Sequence, residues 1–451
     1  MTTLPSERQR FYADLLRIAL PIALQNLVVS GVNMLDTIMV GKLGTAELAA
    51  VGLANQIWFL LILMLFGVST GGGVFTAQYW GKRDIAGIRR TTGLSLVIGL
   101  GAGLAFMAGG MLVPRAILGF YSRDPAVIGL GASYLRIVAP SYPLAAVSFV
   151  FSISLRGVER VRLPLVATVV SLTINAILNY VLIFGAFGAP AMGVNGAAVA
   201  TVVSRIIEAV IVISGAYLQK TPIAGSLKEF TSWGSGFITR FLRIAMPVIV
   251  NEIAWSVGIT TYNGVFARIG TGAIAAFNVT STVNQLAMVF FMGTANAAAV
   301  MIGSRIGAGE LSVARSWAKR FAILSPLYGL CMGALMVPAT LILPLLFAME
   351  PEPLRQAGMM IVVMAGVFPF KIFNLHVIVG ICRSGGDTRF GAFFDIFGIW
   401  GIGVPLALLG AFVLKLQPWQ VFLLLNLEEP TKAILGVWRV ATGKWLNDVT
   451  A

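Results

Sequence analysis

Asp36 stands in a stretch, about residues 11 to 40, that is otherwise apolar enough to cross a bilayer. An ionised, unpaired carboxylate at mid-bilayer costs about 2.5–3.5 kcal/mol on insertion scales, so it must face the protein interior. There it can take up a proton or a small cation from one side of the membrane and release it on the other. A static pairing with Lys42, six residues on, is the structural alternative. Asn175 and Asn179, in SLTINAILNYVLIFG, are four residues apart and share one helix face. Their amides offer carbonyl oxygens and N–H donors, enough to complete a polar pocket around a carboxylate. Interhelical hydrogen bonding alone is the alternative. Glu252, in VNEIAW, is a second intramembrane acid and a candidate for proton, cation or cationic-substrate binding.

Other charged residues suggest structure more than chemistry. Arg205 and Glu208 are three apart on one helix and could pair with each other. Glu428, Glu429 and Lys432, in LNLEEPTKAIL, form a polar cluster in the last apolar segment. The lone His376 is expected to be a satisfied buried histidine. With no Cys/His cluster, a dedicated metal site is not expected. The two cysteines, Cys331 and Cys382, fall in apolar segments and imply no disulfide framework. No nucleotide-binding motif is present, which argues against direct ATP coupling.

The elements that must hold these residues are membrane helices. Hydrophobic residues make up 58% of the 451 and charged residues 11%, with a mean hydropathy of +0.89. Soluble domains carry about 25% charged residues. The apolar segments run to about 20 residues or more, which suits helices rather than ten-residue barrel strands. Twelve spans are expected, near 12–40, 47–79, 92–117, 126–154, 162–186, 192–217, 238–266, 273–303, 317–347, 354–381, 390–414 and 418–437. With a cytoplasmic N-terminus, six basic residues fall outside (Lys42, Arg115, Arg123, Arg268, Arg355, Lys415) and four inside spans (Arg136, Arg205, Lys371, Lys432). The other 22 of 32 Lys/Arg are cytoplasmic, the bias of the positive-inside rule. The net charge of +14 therefore reports topology, and no nucleic-acid partner is expected. The first span is too long for a signal-peptide core and is expected to stay as an uncleaved helix.

The two halves of the chain repeat each other. An offset of 226 aligns Arg17 with Arg243, Pro21 with Pro247, Gly44 with Gly270 and Gly67 with Gly293; one more residue aligns Arg156–Arg162 with Arg383–Arg389. Six spans per half give both halves the same orientation, hence a parallel repeat about an axis along the membrane normal. The expected organisation is an N-lobe at 1–218, a cytoplasmic linker at 219–237 and a C-lobe at 238–451. Two like lobes around a cleft suit alternating access. A proline inside a span frees the carbonyl four residues earlier, so Pro21 and Pro247, at matching positions, are expected hinges. The chemistry differs between halves: the mate of Asp36 is Tyr262, and the mate of Glu252 is Asn26.

The run Asp36-Thr-Ile-Met-Val-Gly-Lys-Leu-Gly44 with LAAVGLA after it, the paired loops LRGVERVRLP and CRSGGDTRFG, and MGVNGAAVATVVS at 192–204 together resemble the multidrug and toxic compound extrusion (MATE) family. The resemblance covers nearly the whole chain. It implies an all-α membrane protein with twelve helices in two six-helix lobes. It further implies export of organic cations and amphipathic compounds, driven by inward Na⁺ or H⁺ and needing no other cofactor. By the family's pattern Asp36, Asn175, Asn179 and Thr201 form the cation or proton site, where Na⁺ is possible. Glu252, with Tyr262, is implied as a substrate or second cation site. Some members carry an aspartate at the place of Asn179, and the asparagine here leaves the choice between Na⁺ and H⁺ open. The resemblance also implies a monomer in a bacterial cytoplasmic membrane, with both termini cytoplasmic. The rival reading is a lipid or lipid-linked glycan flippase of the same wider superfamily; the scarcity of basic residues inside spans favours export of neutral or cationic compounds.

Overall fold

The computed structural model describes residues 7–347 and 349–451, and among these every regular element is helical. Eleven helices are long and apolar enough to cross a membrane: α1 (Glu7–Gly41), α2 (Thr45–Lys82), α3 (Ile85–Leu112), α4 (Pro125–Gly157), α5 (Arg162–Phe184), α6 (Val194–Leu218), α7 (Ser235–Ile269), α8 (Thr271–Gly307), α9 (Leu311–Leu345), α10 (Pro351–Cys382) and α11 (Thr388–Val413). The expected twelfth span is instead two shorter helices, α12 (Pro418–Asn426) and α13 (Glu428–Thr442). Pro430 explains the break, since it has no N–H to give the Asn426 carbonyl.

The repeat seen in sequence recurs in detail. Gly44 and Gly270 cap α2 and α8 with φ of 153° and 156°, a backbone region that L side chains avoid. Both proline-bearing helices run unbroken, α1 through Pro21 and α7 through Pro247. The chain forms two compact units, Leu24–Ile249 and Val250–Ala451, the latter joined by the chain up to Ala23. These units differ from the lobes read from the repeat, because each proline helix is divided two residues after its proline. Packing gives the reason. A Cβ on Gly67 of α2 would stand 2.9 Å from the Cα of Ile249, and one on Gly293 of α8 would stand 2.9 Å from the backbone nitrogen of Ala23. The glycines thus let the early turns of α7 and α1 lie backbone to backbone against α2 and α8. On α1 the buried residues Phe11, Leu15, Ile18 and Ile22 form one stripe at helical spacing. Phe11 meets Trp317 and Phe321 edge-on, with centroids 5.8 and 5.0 Å apart.

Each unit has its own apolar core. One is built around Leu61, Leu65, Leu135, Tyr142 and Ala198, the other around Phe266, Phe277, Phe291, Phe368 and Val421. The segment expected as a linker folds against α3. Its short helix Leu227–Phe230 opens with a capping box between Ser226 and Glu229. Arg89 pairs with Glu229 and donates to the Pro222 carbonyl at 3.3 Å. The backbone N–H of Ser226, then Arg89 and the Ser226 hydroxyl, hold the Glu229 carboxyl down at about 2.

Candidate functional site

Three of the residues picked from sequence meet in the first unit. Asn179 Nδ2 donates to Asp36 Oδ1 at 2.6 Å and to Asn175 Oδ1 at 3.2 Å. With the Asn175 amide turned over, its Nδ2 donates to Asp36 Oδ2 at 3.2 Å, and the carboxylate then receives both amides. The spacing explains the arrangement: Thr168, Ser171, Asn175 and Asn179 are all buried on one face of α5 and form a polar stripe facing α1. Asn175 is 3% and Asn179 1% exposed, whereas Asp36 is only half-buried. Lys42 is not its partner, and no other basic side chain pairs with Asp36 among the described residues. Asn179 Oδ1 is buried with no hydrogen-bond partner. A carboxylate and an uncommitted carbonyl oxygen, with no built-in positive charge, form a donor set suited to a proton or a hard cation.

Thr201 does not join this network by hydrogen bond; its hydroxyl donates to the Ala197 carbonyl one turn back on α6 at 2.9 Å. Tyr134 of α4, which nothing in the sequence singles out, stands beside Thr201 and within electrostatic reach of Asp36. A lone tyrosine in an apolar span carries no spacing signal, so only the fold could show it.

In the second unit the picked residues separate. Glu252 accepts from Arg383 Nη2 at 2.7 Å, and both are largely buried. Tyr262 lies elsewhere and donates to Glu428 at 3.2 Å. Glu252 and Tyr262 therefore face different partners. Around Glu428 the structure assembles a larger ionic cluster. Lys432 Nζ lies 3.3 Å from Asp395, 3.4 Å from Glu429 and 3.9 Å from Glu428. Asn374 donates to Glu429 at 2.7 Å and Asn251 to Asp395 at 3.3 Å, and Lys371 is within electrostatic reach of Glu429. Lys432, Glu428 and Glu429 are 4%, 7% and 6% exposed. The sequence marked the three as a polar cluster, but Asp395 and Tyr262 reach it only through the fold.

His376 is satisfied on both ring nitrogens, at 2.8 Å from the Ile372 carbonyl and 3.1 Å from Thr294 Oγ1. Arg205 and Glu208 do not pair: Arg205 lies 3.6 Å over the ring of Trp58 while Glu208 accepts from Thr168 at 3.0 Å. A stacked guanidinium and a separate hydroxyl donor compete successfully with a contact three residues apart on one helix.

The MatE family model matches residues 21–181 and 247–409, one match in each half of the repeat. A probable multidrug resistance protein NorM of Agrobacterium fabrum is 27% identical over 88% of this chain and 86% of its own length. The multidrug resistance protein PmpM of Pseudomonas aeruginosa is 26% identical over 94% and 87%. Among solved structures, a multidrug resistance MATE family transporter of the MOP superfamily in an outward-facing conformation superposes with a TM-score of 0.85 at 20% identity, covering 96% of both chains. A crystal structure of MATE in the bent conformation gives 0.85 at 19% identity over 97% of both.

Proposed function

Since the chain belongs to the MatE family, we propose that it is a secondary active exporter of amphipathic and cationic small molecules, driven by inward movement of Na⁺ or H⁺ bound at Asp36. The observation that carries this reading is the Asp36 site: a half-buried carboxylate held by Asn179, with an unpaired amide oxygen beside it and no basic partner among the described residues. An intramembrane acid without a counter-charge is expensive unless something loads it. Loading with a proton or Na⁺ cancels that cost, and unloading restores it, so occupancy can bias a conformational equilibrium. Asp36 and Pro21 share α1, four turns apart. Pro21 leaves the Arg17 carbonyl without its helical donor, so bending there costs less than elsewhere on the helix. Loading at Asp36 then reshapes the cavity of the first half around this hinge and drives cargo outward, with Pro247 as the corresponding weak point of α7. The protein works as a monomer in a bacterial cytoplasmic membrane with both termini in the cytoplasm, and it transports its cargo without covalently changing it.

The test is efflux of a cationic dye from proteoliposomes of the purified protein under an imposed Na⁺ gradient and, separately, an imposed pH gradient. One gradient should drive efflux and the other should not. Absence of efflux under both, together with lipid translocation in the same vesicles, would replace this reading by the flippase.

A further inference from the structure

About three turns before Asp36 on α1, a second polar network in the first unit carries excess positive charge. Arg156 Nη2 donates to Gln25 Oε1 at 2.7 Å, Gln25 Nε2 to Thr168 Oγ1 at 2.8 Å, and Thr168 Oγ1 to Glu208 Oε1 at 3.0 Å. Gln25, Arg156 and Glu208 line a cavity of about 120 Å³ together with Trp58, Ser152 and Arg205. Arg205 stacks on Trp58 and donates to Ser141 Oγ at 2.9 Å. Two guanidiniums thus share the space with one carboxylate, Glu208, and neither forms an ion pair with it among the described residues. Arg156 Nε is buried and has no hydrogen-bond partner.

The repeat shows what is missing. Arg383, the mate of Arg156, is met by Glu252 at 2.7 Å, while the first-half mate of Glu252 is the neutral Asn26. Asp395, which receives Lys432 at 3.3 Å, has Thr168 as its mate under the 227 offset that aligns the two arginines. At these two positions the second half has carboxylates, Glu252 and Asp395, where the first half has the neutral Asn26 and Thr168. Arginine, with five donors in a planar fork, is suited to bidentate capture of a carboxylate.

We propose that this cavity is a subsite for the carboxylate of a transported aromatic amphiphile, gripped by Arg156 and Arg205 beside the indole of Trp58. The inference rests on the reading of the chain as an exporter and names a class of cargo that the Asp36 site alone does not explain: carboxylate-bearing and zwitterionic molecules. A cargo carboxylate would supply the counter-charge that Glu252 supplies to Arg383.

Equilibrium binding, with no gradient imposed, tests the subsite separately from coupling. The probes are a radiolabelled aromatic amine carrying one carboxylate and its methyl ester, with full-length protein in zwitterionic-lipid vesicles. The acid should bind about tenfold or more tighter than the ester, the range expected for a hydrogen-bonded charge. Arg156→Gln should weaken acid binding more than ester binding and so cut that preference severalfold, with Arg205 still in place, and Arg156→Lys should restore part of it. Equal binding of acid and ester by the wild-type protein would overturn the proposal even if the variants fail to fold. Loss of the preference on adding anionic phospholipid to the vesicles would also overturn it, by making a lipid headgroup the occupant. An export failure at Asp36 would leave these binding results intact.

Discussion

The two halves of the chain solve the same electrostatic problem in opposite ways. In the second half, Lys432 sits among Asp395, Glu428 and Glu429, and Arg383 holds Glu252. Each charge has a tethered partner. In the first half, among the described residues, Asp36 meets amides and no cation, and Arg156 and Arg205 have neutral partners. Buried charges demand compensation; the second half supplies it from its own side chains, and on the proposed reading the first half draws it from what it binds. The repeat thus yields one half whose buried charges meet opposite charges and one whose buried charges meet amides, hydroxyls and an indole.

Removing the tethered cation is the most severe way to break this comparison. Lys432→Ala would leave three carboxylates together, with only Lys371 nearby, and should cost about 3–5 kcal/mol, as for other broken buried pairs. Thermal unfolding in detergent should fall steeply or the protein should fail to accumulate. A stable Lys432→Ala protein would show that the cluster is already neutral by protonation.

Asp36→Asn makes the opposite case. The substitution is nearly isosteric and removes a charge that no side chain balances, so stability should stay within about 1 kcal/mol of wild type. Gradient-driven efflux should nevertheless disappear, because an amide cannot cycle a charge. Full efflux by the purified variant would remove Asp36 from the coupling mechanism.

Glu252→Gln sharpens the contrast further. Because Arg383 already neutralises Glu252, the substitution should lower stability by about 1–3 kcal/mol. It should reduce transport of neutral and cationic substrates by the same factor, measured as initial efflux rates. A loss that grows with substrate charge would return Glu252 to a substrate site.

Much of this was legible in the sequence, for identifiable reasons. Helices in a bilayer leave long apolar runs, and a duplicated chain leaves a constant offset, so the spans and the repeat stood out. Asp36, Asn175 and Asn179 could be grouped because a four-residue spacing fixes a face and an acid in an apolar span has few excuses. The break at Pro430 was missed because hydropathy averages across it. The partners of Glu252 and Tyr262 were missed because Arg383, 131 residues from Glu252, and Glu428, 166 from Tyr262, are joined to them only by tertiary packing. The division of α1 and α7 between compact units follows glycine contacts such as Gly67 with Ile249; the four-residue spacing of Gly67 and Gly71 announces a close helix approach but not which helix makes it.

The smallest expected effect tests whether the first-half site acts as one unit. Asn179 touches both Asp36 and Asn175, so the three form a single network, and residues in one network give non-additive losses of about 0.5–3 kcal/mol. Asn175→Ala and Asn179→Ala should each slow gradient-driven efflux partially, Asn179→Ala more because its amide makes the shorter contact with the carboxylate, 2.6 Å against 3.2 Å. In an Asp36→Glu background, which keeps the charge but moves it by one methylene, the same alanine substitutions should cost less, since the amides no longer meet the carboxylate squarely. The measurement is a double-mutant cycle on initial rates at matched expression, under the gradient found to drive export. Strict additivity would make the asparagines interhelical packing and remove them from the site, leaving Asp36 to act without them.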